Sequence, residues 1–123
     1  MAPDVDRRFP SAQRLTRKAD LDVVRHEGKR FRTAHLEVRY LASLFRHSRV
    51  GIIVPRHKQT AVARNRVKRR LRELARLELL PSRAARPPLD IVLRAMPSAY
   101  EAAFTDLATD VRRVIGRLDG ALA

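Results

Sequence analysis

The sequence predicts an α+β fold of order α-β-β-β-α-β-α, a two-layer sandwich with helices packed on a four-stranded mixed sheet. Three observations carry this expectation. Apolar residues recur at helical spacing in three stretches, alternate with period two across residues 36–44, and form two short continuous runs, RVGIIVP and LDIVLRA. Breaker residues (Gly28, Pro55, Pro81–Pro88 and Pro97) fall between these stretches. The length of 123 residues suits a single domain, residues 1–123, with a modest core.

Taken in order, residues 1–15 are polar, carry Pro3 and Pro10, and are expected to form an irregular arm anchored by Phe9 and Leu15. Thr16 is placed to cap a helix over Arg17–Glu27, with Gly28 as the C′ residue that stops it. Leu21 and Val24 give that helix only a thin apolar stripe. A weak strand at Lys29–Thr33 precedes a second in which Leu36, Val38, Tyr40, Ala42 and Leu44 alternate with Glu37, Arg39, Leu41 and Ser43. Phe45–Ser48 should turn the chain into a third strand, Arg49–Pro55, whose apolar run suggests a central position. Pro55 has no N–H to give a ladder and belongs at the strand end.

Thr60 is the expected N-cap of the second helix, which runs toward Leu80 until Pro81–Pro88 breaks it. Leu89–Ala95 reads as the fourth strand. Ser98 and Glu101 have capping-box spacing, and Tyr100, Phe104, Leu107, Val111, Val114 and Leu118 continue a helix to about residue 118. The strand–helix–strand unit over residues 49–95 can form a parallel pair, for which general chirality predicts a right-handed crossover.

Charge concentrates on the second helix. The chain has 27 Lys+Arg against 13 Asp+Glu, a net +14. The imbalance lies up to Arg94, with 24 basic and 9 acidic residues; 3 and 4 follow. Ala63, Val67, Leu71 and Leu74 form a narrow apolar stripe. Arg64, Lys68, Arg72 and Arg76 run along one flank at i, i+4, Asn65 and Arg69 continue that surface, and Arg66 and Arg70 border the stripe on its other side. Like charges at this spacing repel by roughly 0.2–0.5 kcal/mol per pair, and cations in the first turn oppose the helix dipole. A polyanion is the simplest relief, and a stripe narrow enough for a sheet to cover disfavours membrane-surface or calmodulin-type helices. Twenty-three of the 27 bases are Arg, which suits planar, bidentate contacts to phosphate.

Catalytic readings fail. There is no Cys, hence neither disulfide nor thiolate metal site. His26, His35, His47 and His57 lack metal-binding spacing, and Asp4/Asp6 and Asp20/Asp22 read as solvated or helix N-terminal acids. Four ungrouped glycines make no phosphate loop, and no nucleophile–base pair stands out. Aromatic residues are too few for a base-stacking platform, and Phe31 and Tyr40 read as core. Without a signal peptide or an apolar run of ~18 residues, the expected location is the cytoplasm, with no membrane contact.

The run Ala61-Val62-Ala63-Arg64-Asn65-Arg66-Val67-Lys68-Arg69-Arg70-Leu71-Arg72-Glu73 resembles the A-V-x-R-N-R-x-K-R-x-x-R-E signature of the protein subunit of bacterial ribonuclease P. Arg14-Leu15, Gly28 with Arg30, Arg49-Val50-Gly51 with Val54, and Asp90-Ile91-Val92 support it in the right order, across about residues 9–118. The resemblance implies a left-handed crossover in place of the right-handed one. It also implies a partner, the catalytic ribonuclease P RNA, and a substrate, precursor tRNA. The RNA would remove the 5′ leader by Mg²⁺-dependent hydrolysis, with Mg²⁺ bound mainly by the RNA and no catalytic group on the protein.

By the same resemblance, Arg64, Asn65, Arg66, Lys68, Arg69 and Arg72 would face the catalytic RNA. A cleft drawing on Leu21, Arg25, Arg30, Arg39, Arg56 and His57 would hold the leader. Leu21 and Arg25 stand where the family often has Phe, Pro55-Arg56-His57-Lys58-Gln59 departs from its S-[KR]-K-x-G, and Ala95-Met96 follows Arg94 where A-R is usual. An electrostatic cleft with little base stacking is therefore expected. The alternative from another class is a general RNA-binding or ribosome-assembly protein.

Overall fold

The computed structural model describes residues 9–121. The first eight residues of the expected arm, with Asp4/Asp6, lie outside the described residues. Four strands, β1 (Lys29–Arg32), β2 (Leu36–Ala42), β3 (Arg49–Ile53) and β4 (Leu89–Ala95), form one sheet of order β1-β2-β4-β3. The β1/β2 and β2/β4 pairs are antiparallel, and β3/β4 is parallel, as a strand–helix–strand unit allows. The expectation of a central β3 is corrected, because β3 is an edge and β4 is central. The apolar run of β3 reflects cover from its own chain: the N–H of Leu15 donates to the carbonyl of Val50 at 2.9 Å, so the N-terminal segment shields that edge. The second strand also ends earlier than its alternation suggests, since Leu44 is 99% exposed beyond Ala42.

Strand alternation sends the apolar residues to two faces. On one, Leu36, Val38, Tyr40, Val50, Ile91 and Leu93 join Val67, Leu71 and Leu74 of α2 (Ala61–Leu74) and Leu107, Val111, Val114 and Leu118 of α3 (Phe104–Ala121). Phe31 packs edge-on to Tyr40 at 6.0 Å, so both aromatics serve this core. On the other face, α1 (Lys18–Glu27) sets Val24 and Leu21 against Val92, Leu41 and Ile53. Because α1 carries so few apolar residues, it covers only part of that face.

The helix ends differ from expectation in three places. Arg17, not Thr16, is the first cap of α1 and makes no side-chain cap bond. Thr16 follows residues already paired along β3. Gly28 has extended backbone (φ −77, ψ 157), not the left-handed conformation. It is needed for close approach, since a Cβ there would lie 2.4 Å from the carbonyl oxygen of Val24 and 2.8 Å from that of Tyr40. Ser98 and Glu101 do not cap α3. Pro97–Tyr100 forms a 3₁₀ turn, α3 begins at Phe104, and Asp106 accepts from the N–H of Ala103 at 3.1 Å. Tyr100, expected on the helix stripe, instead donates its hydroxyl to Pro55 O at 2.6 Å.

The basic helix starts as predicted, with Thr60 Oγ1 accepting from the N–H of Ala63 at 3.1 Å. It passes into a π-helical segment, Ala75–Leu79, and a last turn, Leu80–Ser82. The break therefore falls after Ser82, since Pro81 occupies an opening position of that last turn, where a missing N–H is tolerated. On the α1 face, Asp90 accepts from Nε and Nη2 of Arg49 at 2.9 and 2.7 Å, and Asp20 of α1 adds a longer contact at 3.5 Å. These hydrogen bonds, chiefly from Asp90, outweigh burial and raise the Arg49 pKa. The cluster ties α1 to both parallel strands.

Candidate nucleic-acid interface

The apolar stripe of α2 is fully occupied, with Val67, Leu71 and Leu74 all buried, so the remaining surface of the helix faces outward. Arg64 donates from Nε to the carbonyl of Val54 at 2.7 Å, which fixes it against the end of β3. Asn65, Arg66, Arg69 and Arg72 are exposed, and among the described residues their side chains form no hydrogen bond or ion pair. Lys68 is half-buried between Arg64 and Arg72. Burial first, then repulsion from Arg72 and Arg64, lowers its pKa below that of an ordinary lysine.

The two acids of this segment act elsewhere. Glu73 pairs with Arg76 at 2.5 Å, and Glu78 pairs with Arg112 of α3 at 3.0 Å. The six cations from Arg64 to Arg72 therefore lack a carboxylate partner among the described residues. Such a row sums into a positive ridge whose repulsion a phosphate backbone would relieve.

The second expected set divides. Arg25 and Arg39 meet on the α1 face, where a guanidinium N–H of Arg39 donates to the carbonyl of Arg25. Arg30 sits opposite Arg39 in the β1/β2 register. Leu21 packs into the small core under α1 and also lines a groove of about 180 Å³ over the β3 edge, where it meets Phe9, Lys68 and Arg72. The groove thus joins Leu21 to the flank of α2. Arg56 and His57 lie past the end of β3; His57 contacts Tyr100 edge-on at 6.2 Å and Ala95 O at 3.4 Å.

Arg94 joins the α1-face set without having been anticipated. It pairs in register with Glu37 and shares a small crevice with Arg25, Arg39 and Ile53. The signal was its phase in LDIVLRA: Asp90, Val92 and Arg94 point opposite to Ile91, Leu93 and Ala95, but strand apolarity hides the alternation. Glu37 contacts both Arg32 and Arg39 at 3.4 Å, leaving Arg25, Arg30 and Arg94 as the less compensated cations. Among the described residues, no group of three or more His, Asp or Glu side chains is placed to hold a metal ion, and no helix is long and apolar enough to cross a membrane.

Comparison with known proteins decides the family. The family model for ribonuclease P matches residues 9–119.

The chain belongs to the ribonuclease P protein family.

It is 35% identical over 113 residues to the ribonuclease P protein component of Syntrophobacter fumaroxidans, covering 92% of this chain and 93% of that one. It is 38% identical over 115 residues to the corresponding protein of Acidothermus cellulolyticus, covering 89% and 91%. Among solved structures, the ribonuclease P protein of Staphylococcus aureus superposes with a TM-score of 0.76 at 20% identity, covering 92% of this chain and 100% of that one. The Thermotoga maritima protein gives 0.73 at 25% identity, covering 85% and 96%. The mixed four-stranded sheet with its helices is the architecture of these ribonuclease P proteins. Membership makes the chain a protein component of the ribonuclease P holoenzyme, places it in tRNA processing, and implies a ribonuclease P RNA partner.

Proposed function

We propose that the chain binds the catalytic RNA of ribonuclease P through Arg64, Asn65, Arg66, Lys68, Arg69 and Arg72, and that the RNA removes the 5′ leader from precursor tRNA in the cytoplasm. The observation that carries this reading is the row of cations from Arg64 to Arg72, none of which is ion-paired with a carboxylate among the described residues, Glu73 and Glu78 being paired with Arg76 and Arg112. A phosphate backbone relieves that repulsion and releases its own counterions on binding. Tethering Arg64 to Val54 O lowers the cost of ordering its side chain before the RNA arrives.

The leader would lie on the part of the sheet that α1 leaves open, against Arg25, Arg30, Arg39 and Arg94. Guanidinium groups there contact phosphates or bases, and because no aromatic side chain lines the crevice that Arg25, Arg39 and Arg94 share among the described residues, the contact is electrostatic. The groove at Leu21, Lys68 and Arg72 gives a route between the two surfaces. Mg²⁺ would be bound mainly by the RNA. The protein's part is to neutralise phosphate charge and so lower the Mg²⁺ concentration the RNA needs.

Mixing the purified chain with a bacterial ribonuclease P RNA and a precursor tRNA at low Mg²⁺ tests the proposal. Leader removal faster than by RNA alone is expected. Equal rates, together with equal affinity for unrelated structured RNA, would instead favour a general RNA-binding role.

A further inference from the structure

The connection from the end of the basic helix to β4 holds a cation that neither proposed RNA surface uses. Arg83 is only 4% exposed. Its Nη2 donates to Pro87 O at 2.8 Å, while its Nη1 reaches Asp119 Oδ1 only at 3.4 Å. Arg86 contacts the same oxygen at 3.3 Å, so two guanidiniums divide one carboxylate. The Nε of Arg83 has no hydrogen-bond partner. Burial lowers the Arg83 pKa, Asp119 opposes that shift, and Arg86 adds to it. A buried guanidinium this poorly matched is uncommon, since buried charge is ordinarily paired and its N–H groups satisfied.

Arg83 lines a cavity of about 160 Å³ together with Arg46, His47, Ser48 and Arg86, and no carboxylate lines it. By volume it holds about five waters at the liquid density, enough for one tetrahedral oxyanion. Ser48 Oγ accepts from the N–H of Leu89 at 2.9 Å, which leaves its own proton to donate. Ala85 is held at φ 61, a conformation few non-glycine residues adopt, and the turn it makes sets Arg83 and Arg86 beside the same opening.

We propose that this cavity is a phosphate-binding site, in which Arg83 backs a phosphate group that Arg46 and Arg86 close over. Guanidinium forks match two oxygens of a phosphate at once, and the group supplies the negative charge that Asp119 divides between Arg83 and Arg86. The group is either a backbone phosphate of RNA or free inorganic phosphate, which share this chemistry.

The test follows the arginine Nε–H signals of the full chain by NMR during titration with inorganic phosphate at constant ionic strength. The Arg83 signal should move saturably. Arg46→Ala with Arg86→Ala, both at exposed positions, should weaken that response at least about tenfold while the Arg64 signal responds as before. Arg86→Lys, which keeps the charge without the fork, should fall between, and it serves if the double variant loses its dispersed spectrum. An Arg83 signal that stays still, or that moves equally in every variant, overturns the proposal. This outcome does not depend on the RNA reading. A second arm separates the sources. If the ligand is an RNA phosphate, the double variant also binds ribonuclease P RNA with a salt slope smaller by up to about two. If it is free phosphate, RNA binding is unchanged while phosphate binding is lost.

Discussion

Arg64 Nε donates to Val54 O at 2.7 Å, so the first basic side chain of α2 is fixed to the strand end from which its helix departs. Charge and position can be separated at this residue. Arg64→Lys keeps the charge and loses the tether; it should weaken RNA binding by roughly fivefold, the worth of about 1 kcal/mol, with an unchanged salt slope. Arg64→Ala should also lower the slope by about one. Filter-binding titrations across a salt series distinguish the two.

Lys68 is the position where stability and function oppose each other. Its lowered pKa means that the folded state disfavours the charged form, so the unfolded chain binds more protons between the lowered value and 10.5. The resulting penalty is full below the folded pKa and disappears as pH rises toward 10.5. Lys68→Met should therefore stabilise the free protein at neutral pH by removing a partly buried charge and two like-charge pairs, the pairs alone being worth roughly 0.4–1 kcal/mol, while weakening RNA binding. The stability gain should fade above pH 10. Chemical denaturation at several pH values reads the sign directly.

On the opposite sheet face, Arg39 and Arg94 can be removed without disturbing α2. Arg39→Ala with Arg94→Ala should reduce holoenzyme affinity for precursor tRNA bearing a leader and leave mature tRNA binding unaltered. The salt slope for the precursor should fall by about 0.7 for each lost contact to single-stranded phosphate. Similar losses for both tRNAs would remove the leader from this face.

Gly51 and Gly116 make a matched pair for stability. A Cβ on Gly51 would lie 2.8 Å from the carbonyl oxygen of Leu15 and 2.7 Å from Leu21 Cδ2, whereas one on Gly116 meets nothing within 4 Å. Gly51→Ala should cost about 1–3 kcal/mol by overpacking the chain that covers the β3 edge. Gly116→Ala, inside α3, should gain about 0.5–1 kcal/mol. Urea midpoints measured side by side decide both.

The elements were legible in the sequence wherever one local rule governed them. The Thr60 cap, the stripe Val67/Leu71/Leu74 and the stripe Leu107/Val111/Val114/Leu118 follow from periodicity and capping alone. Tertiary contacts overrode local signals elsewhere. The apolar run of β3 looked central, but cover came from Leu15 lying against Val50 rather than from a strand on each side. Ser98 had capping spacing, yet Ser98 Oγ lies 2.9 Å from Nδ1 of His35, and Asp106 took over the helix start. Gly28 looked like a left-handed stop and proved to be a point of contact with Tyr40. For the candidate site, the charges on α2 lie along one helix and could be read in one dimension. Arg94 could not, because its neighbours Glu37 and Arg39 come from a different strand, and neither could the groove that joins Leu21 to Lys68.

In the proposed arrangement, the outer flank of α2 and the uncovered sheet face address different RNAs. The chain has no cysteine, so one introduced cysteine carries a cleaving iron chelate to a single place. In the assembled holoenzyme with precursor tRNA, a chelate at Asn65→Cys should cut the ribonuclease P RNA and spare the leader, while one at Arg30→Cys should cut the leader. Cleavage of the leader from the Asn65 position, or of the same RNA segment from both positions, would contradict the account.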